Sequence, residues 1–190
     1  MGDMHATAAS IGGIALLERA INYTLGVLPA VTPAALSRPT PCRDWDLGAL
    51  LRHLDDALVA LTEAAGGRVE PPAPDAGLPG VPDLRARARQ LLGAWACGGD
   101  RPVSIGGCPL TTGLVTGTGA LEVAVHGWDV AWACGPPRPI PPALADELLD
   151  LAPLLVRDAD RPGRFAAPIP VPATAGPAER LLAFLGRQPA

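Results

Sequence analysis

Two of the three histidines in this chain of 190 residues stand beside carboxylates, within segments whose apolar residues recur at helical spacing. In the segment 119–135, Glu122 precedes His126 by four residues. Residues four apart on a helix project from one face, with about 5–6 Å between their Cβ atoms. A carboxylate and an imidazole at this spacing can hold one metal ion. His53, on another predicted helix, would complete a set of two histidines and one carboxylate.

A set of two histidines and one carboxylate leaves one position of a tetrahedral ion open, as in catalytic zinc sites. We therefore predict a divalent metal ion bound by His53, Glu122 and His126. Zinc is the expected ion, with nickel or another first-row metal as the alternative. Taken alone, each histidine is better explained as a core residue, since a single short motif is weak evidence. The prediction depends on the three residues coming together.

Two further carboxylates each follow one of these histidines by three residues: Asp56 follows His53, and Asp129 follows His126. A carboxylate that accepts a hydrogen bond from the second ring nitrogen orients a metal-bound imidazole. We interpret Asp129 and Asp56 as candidates for this role. The alternative, given equal weight, is that either carboxylate is merely solvated or caps a loop.

Aromatic and thiol side chains lie near the same positions. Buried aromatic residues dominate core energetics, so Trp45, Trp128 and Trp132 are predicted to pack in the core rather than contact a substrate. Cys42 and Cys134 lie near the ends of the two helices that carry the predicted ligands. A free cysteine usually behaves as a small buried hydrophobe, so neither receives a role.

The elements that must position these residues follow from apolar periodicity and helix-capping signals. Asp46 and Asp83 are predicted to cap the helices that they precede. Most prolines of this sequence fall between the predicted helices rather than inside them. Helices are predicted over about 6–28, 46–66, 83–96, 118–134 and 141–157, with a short one over 178–185.

The connections between these helices are long and rich in glycine and proline. Residues 70–82 are expected to form an irregular surface crossover. Residues 98–119 are read as a mostly irregular connector, in which 103–105 are extended. The sequence thus predicts an all-α, four-helix bundle with long crossover loops. We expect a single domain over 1–190, in which 160–190 form an extended segment with a short terminal helix.

Composition excludes several classes of function. The net charge is −4, and all basic residues are arginine without a basic cluster, which disfavours nucleic-acid binding. No apolar stretch approaches the roughly 20 residues of a membrane helix, and no signal peptide is recognisable. The four cysteines form no C-x-x-C pair. We therefore expect a cytoplasmic protein that binds neither nucleic acid nor membranes.

Three stretches of the chain carry a family resemblance. They read PTPCRDWDLGALLRHL (39–54), EVAVHGWDVAWACG (122–135) and FAAPIPVPATAGPAERLLAFLGR (165–187). In order and in motif, the chain resembles the DinB-like metal-binding proteins, and more narrowly the actinobacterial branch related to mycothiol-dependent maleylpyruvate isomerase. The resemblance implies a four-helix bundle whose divalent metal, usually zinc, is held by His53, Glu122 and His126.

The resemblance also implies an activity. A thiol such as mycothiol would bind the open position of the ion and be deprotonated, and its thiolate would attack a small electrophile. Isomerase-type relatives carry a further C-terminal domain, whereas only about 30 residues follow the fifth predicted helix here. The metal site is therefore expected to carry over more completely than the isomerase activity. The expected activity is transferase-like or isomerase-like, on an unspecified substrate. The alternatives are a non-catalytic metal-binding bundle and a bundle whose site is empty. A homodimer is compatible with either.

Overall fold

The computed structural model describes residues 2–69, 77–98, 102–135 and 138–188, and it is mainly α-helical. This confirms the predicted all-α class. The helices of the described residues are α1 (Gly2–Val27), α2 (Leu47–Ala65), α3 (Val81–Gly98), α4 (Thr112–Cys134), α5 (Pro142–Leu155) and α6 (Pro177–Phe184).

Helix α2 begins as the sequence predicts. Asp46 has an extended backbone, and its Oδ1 accepts a 2.7 Å hydrogen bond from the backbone N–H of Ala49. This bond satisfies one of the N–H groups that a first helical turn leaves unpaired. The cap matters for the site, because it fixes where α2, the helix that carries His53, begins.

Helices α3 and α4 begin earlier than predicted. Asp83 does not cap α3 but lies in its first turn, where its Oδ2 accepts from the backbone N–H of Gly80 at 2.9 Å. The stretch from Thr112 to Gly117, predicted as connector, belongs to α4. Thr111 caps this helix through a 3.3 Å hydrogen bond from the N–H of Leu114. Tertiary packing outweighs the weak helix propensity of glycine and threonine here.

A small three-stranded sheet packs against α2. Strand β1 (Arg68–Val69) pairs in parallel with β2 (Val103–Ile105), which pairs antiparallel with β3 (Cys108–Leu110). The extended 103–105 segment was predicted, and its two partners were not. Gly106 and Gly107 join β2 to β3, both with positive φ (56° and 82°), as a two-residue hairpin turn requires.

Helix α4 is the central element of the core. It packs against α1, α2 and α5, and most of its residues are buried on all sides. Trp128 is buried as predicted, whereas Trp132 is 40% exposed, so its assignment to the core was wrong. Trp132 lies in the last turn of α4, between the buried residues Ala131 and Ala133. No helix of the described residues is long and apolar enough to cross a membrane.

A close approach between α1 and α4 sets the position of the helix that carries Glu122 and His126. The Oγ1 of Thr24 in α1 donates a 2.8 Å hydrogen bond to the carbonyl oxygen of Val123. Gly127 faces the same threonine, and a Cβ at Gly127 would lie only 3.3 Å from Thr24 Cα. The two helices can be this close because Gly127 has no side chain.

Replacing Gly127 by alanine tests this close approach. The added Cβ would lie 2.3 Å from Thr24 Oγ1, so α1 and α4 would have to move apart. We expect Gly127→Ala to lower the free energy of unfolding by about 1–3 kcal/mol, as overpacking typically does, measured by urea denaturation.

Gly93→Ala is the matched control. Gly93 lies in α3, and a Cβ there would have no described atom of another element within 4 Å. This substitution should raise the free energy of unfolding by about 0.5–1 kcal/mol, because alanine restricts the unfolded chain more than glycine does. Equal unfolding midpoints for Gly127→Ala and the wild type would contradict the close packing.

Candidate metal centre

The structure brings together the three side chains that the sequence singled out. His53 comes from α2, and Glu122 and His126 come from α4. Glu122 Oε1 lies 2.5 Å from His53 Nε2 and 3.1 Å from His126 Nε2. The three potential ligand atoms all lie within 4.8 Å of one another. The convergence across two helices is therefore observed, while metal binding itself stays a prediction.

Asp129 lies behind His126, on the side away from Glu122. Its Oδ2 is 2.9 Å from His126 Nδ1, and the side chain of Asp129 is wholly buried. An ionised carboxylate only accepts hydrogen bonds, so Nδ1 must carry the proton. In the neutral ring, Nε2 then carries the lone pair and points toward Glu122. This is the arrangement expected of a carboxylate that orients a metal-bound histidine.

Asp129 has a second partner that the sequence reading missed. Arg187 donates from Nε to Asp129 Oδ1 at 2.9 Å and from Nη2 to Oδ2 at 2.8 Å. Both side chains are buried, and the contact spans 58 positions in the sequence. A two-pronged guanidinium–carboxylate pair is among the strongest hydrogen-bonded contacts in proteins. No local pattern could have linked the two residues.

Cys42 is the other residue near the centre to which the sequence reading gave no role. Its Sγ lies 3.8 Å from His126 Nδ1 and 3.4 Å from Asp129 Oδ2. Arg187 Nη2 lies 3.5 Å from the same sulfur. The thiol thus faces the Asp129 side of the His126 ring, opposite the side that faces Glu122.

The indole of Trp45 forms one wall of the centre. Its ring centroid lies 4.7 Å from that of His53 and 6.2 Å from that of His126. The two imidazoles are themselves 5.0 Å apart and nearly perpendicular. Trp45 packs against the core with part of its surface exposed. Trp45 therefore packs against the core, as predicted, and it also limits the space around the two imidazoles.

Hydrogen bonds and charge set the protonation of these groups. Burial favours the neutral form of Glu122, but hydrogen bonds from His126 and His53 outweigh this effect and hold its pKa well below the usual range. Burial likewise lowers the pKa of His126, yet its hydrogen bonds to Asp129, Cys42 and Glu122 raise that pKa well above the usual value. Burial raises the pKa of Asp129, but Arg187 and His126 together bring it below the usual value. Both carboxylates therefore stay ionised.

Two overlapping clusters have the composition of a metal site, and charge distinguishes them. One consists of His53, Glu122 and His126; the other consists of Cys42, His126 and Asp129. In the second cluster, the carboxylate already has a cation, because Arg187 occupies both oxygens of Asp129. In the first, the contacts described for the carboxylate are with the two imidazoles. The donors of the first cluster, two nitrogens and a carboxylate oxygen, fit zinc or a similar divalent ion.

Exposure also differs across the centre. The side chains of His53 and Glu122 are 39% and 32% exposed, whereas those of His126 and Asp129 are 10% and 0% exposed. The centre is thus open toward solvent on the His53 side and closed on the Arg187 side. Asp56 is exposed, and none of the hydrogen bonds described for this structure joins it to His53. Its predicted orienting role receives no support.

Comparisons with known proteins agree with this architecture. Residues 17–131, more than half of the chain, match the family described as mycothiol maleylpyruvate isomerase N-terminal domain. The chain belongs to this family. The matched range contains His53, Glu122, His126 and Asp129 but ends before Arg187.

The chain is also similar to two uncharacterized proteins from two strains of Mycobacterium tuberculosis. Each is 31% identical to the chain over 172 residues, which cover 90% of this chain and 94% of the relative. No solved structure matches the chain. The family membership confirms the resemblance seen in the sequence.

Metal analysis of variants tests which cluster binds an ion. Protein purified without an affinity tag and exposed to Zn²⁺ should bind one equivalent. Loss of a group that only orients a ligand is expected to weaken metal binding by about 10–100-fold. His53→Ala and Glu122→Ala should each weaken Zn²⁺ binding by more than this, because each removes a ligand. Cys42→Ser should keep one equivalent, because its sulfur belongs to the cluster that Arg187 already neutralises.

Cys97→Ser is the matched control for Cys42→Ser, since Cys97 is an exposed free cysteine. It should leave zinc binding unchanged. If Cys42→Ser loses the ion while His53→Ala retains it, the cluster of Cys42, His126 and Asp129 is the metal site instead.

Proposed function

We propose that this chain is a divalent-metal-binding protein that also binds a low-molecular-weight thiol of the mycothiol type. The bound thiol is either transferred to a small electrophile or used to isomerise it. The observation that carries the proposal is the uneven exposure of the donors. His53 and Glu122 reach solvent while His126 is buried. A structural ion is usually enclosed by four protein ligands, whereas a catalytic ion keeps one position for an exogenous ligand.

In this proposal, His53, Glu122 and His126 hold the ion. When bound, a divalent ion supplies Lewis-acid chemistry that lowers the pKa of a coordinated thiol. Asp129 keeps the proton of His126 on Nδ1 and so leaves Nε2 free to coordinate. Trp45 excludes water beside the two imidazoles and offers an apolar face to the organic part of a ligand.

The family supports the thiol part of the proposal. Its description names a mycothiol-dependent isomerase, and the candidate ligands lie within the matched residues. The electrophile is left as a chemical class, since a ligand that approaches from the His53 side meets an imidazole, an indole and the carboxylate of Glu122, which together specify no particular substrate.

Spectroscopy of the Co²⁺-substituted protein tests thiol binding without knowledge of the electrophile. In a Cys42→Ser background, adding mycothiol should produce a near-ultraviolet sulfur-to-cobalt charge-transfer band, because Cys42 is the one cysteine in the ligand clusters found among the described residues. His126→Ala should show no such band. Absence of the band in the Cys42→Ser protein with cobalt bound would contradict the proposal and favour a non-catalytic ion.

Turnover is tested with a fluorogenic electrophile. We expect the zinc-loaded protein to conjugate mycothiol to monochlorobimane faster than the metal-free protein does, and His126→Ala to fall to the uncatalysed rate. Asp56→Asn is the matched control, because Asp56 is an exposed carboxylate on the helix that carries His53. It should retain the wild-type rate.

A further inference from the structure

Arg187 reaches the metal centre because of the way in which α6 ends. The backbone N–H of Gly186 donates to the carbonyl of Ala183 at 3.0 Å, and that of Arg187 donates to the carbonyl of Leu182 at 2.9 Å. These two bonds define a Schellman turn, which needs a left-handed residue. Gly186 supplies it with a φ of 76°. The turn reverses the chain and directs Arg187 inward.

Glycine is required at 186 for a second reason. A Cβ there would lie 2.7 Å from the backbone oxygen of Ala166, so the extended segment before α6 packs directly against the turn. The same segment is tied to α6 by a 2.9 Å hydrogen bond from the N–H of Ile169 to the carbonyl of Ala183. Arg187 is thus presented to the core from a firmly packed turn.

The side chain of Arg187 ends a chain of contacts that leads to the predicted ligand. Its guanidinium grips both oxygens of Asp129, and Asp129 Oδ2 in turn contacts His126 Nδ1 at 2.9 Å. Arg187 is 7% exposed and Asp129 is 0% exposed. Because both side chains are buried, water has little access to the hydrogen bonds between them.

We propose that Arg187 is a positioning residue of the metal centre, which holds Asp129 in one orientation and thereby fixes the ring of His126 with Nε2 toward Glu122. The inference rests on the proposed function in so far as His126 is a metal ligand. It concerns a residue outside the range that matches the family.

The physical basis is geometric and electrostatic. A carboxylate held at both oxygens cannot rotate about its terminal bond without breaking a charge-assisted hydrogen bond. The positive charge of Arg187 also compensates the negative charge of Asp129. Without Arg187, this buried carboxylate would be only partly paired. Glu122 then remains the one carboxylate of the described centre that is free to offer its charge to an ion.

Arg161 provides a matched control. Like Arg187, it is a 7% exposed arginine in the segment that follows α5. Its Nη1 donates to the carbonyls of Ala166 at 3.1 Å and Phe184 at 3.0 Å. Its described contacts hold α6 in place and include no residue of the metal centre. Loss of Arg161 therefore removes a buried arginine that holds α6, while the direct hydrogen-bond partners of Asp129, His126 and Arg187, are retained.

The experiment measures the Zn²⁺ affinity of the full chain by competition with a chromophoric chelator, alongside urea unfolding of the metal-free protein. Arg187→Met should lower the affinity by about 10–100-fold, the loss expected when a group behind a metal-bound histidine is removed. Arg161→Met should lower the unfolding midpoint and leave the affinity within about twofold of wild type, since its contacts lie away from the ligands.

Two further variants separate positioning from stability. Arg187→Lys keeps the charge but cannot bind both oxygens in a fork, so its affinity should lie between those of wild type and Arg187→Met. In an Asp129→Asn background, Arg187→Met should cause little further loss, because both residues act on His126 through one contact. Losses that multiply in the double variant would overturn the inference.

A readout in the metal-free protein keeps the inference distinct from metal binding. The Nδ1 proton of His126, hydrogen-bonded to Asp129, should give a downfield proton resonance that persists in Arg161→Met and is lost in Arg187→Met. If the wild type binds no Zn²⁺, the proposed function fails. If the wild type binds Zn²⁺ and Arg187→Met binds it equally well with the resonance intact, the positioning role fails while the function stands.

Discussion

The buried carboxylate of Asp129 is the constraint on which the centre depends. A charge with no exposed surface is tolerated only when it is paired and hydrogen-bonded, and here His126 and Arg187 share the two oxygens. Removing one partner of a buried pair typically costs about 3–5 kcal/mol. The orientation of His126 and the docking of the segment after α5 are therefore linked through one side chain.

This constraint depends on the packing that positions α4. The helix is surrounded by α1, α2 and α5, and the contact at Gly127 lets α1 approach its backbone closely. Both Glu122 and His126 are held by that packing, whereas His53 lies on α2 and contacts the indole of Trp45. The rigid side of the centre thus comes from the core, and the solvent side comes from a half-exposed histidine and its aromatic neighbour.

What the sequence could predict follows from the range of the interactions involved. Helical spacing and the Asp46 cap are local, so most helices and the shared face of Glu122 and His126 were predictable. The early start of α4 was not, because packing against α1 makes a Gly- and Thr-rich stretch helical. Cys42 and Arg187 reach the centre through contacts that span 58 to 145 positions. No periodicity records such contacts, and family membership within 17–131 does not extend to Arg187.

The order of residues along the chain has a consequence for biosynthesis. On a ribosome, His53, Glu122 and His126 all emerge before the Schellman turn at Gly186 can form. A nascent chain thus displays its three donor atoms while the guanidinium that locks the inner imidazole is still to be translated. An ion captured at that stage would meet a His126 ring whose partner Asp129 still lacks its guanidinium, so the proposed site is complete only after the turn at Gly186 has formed.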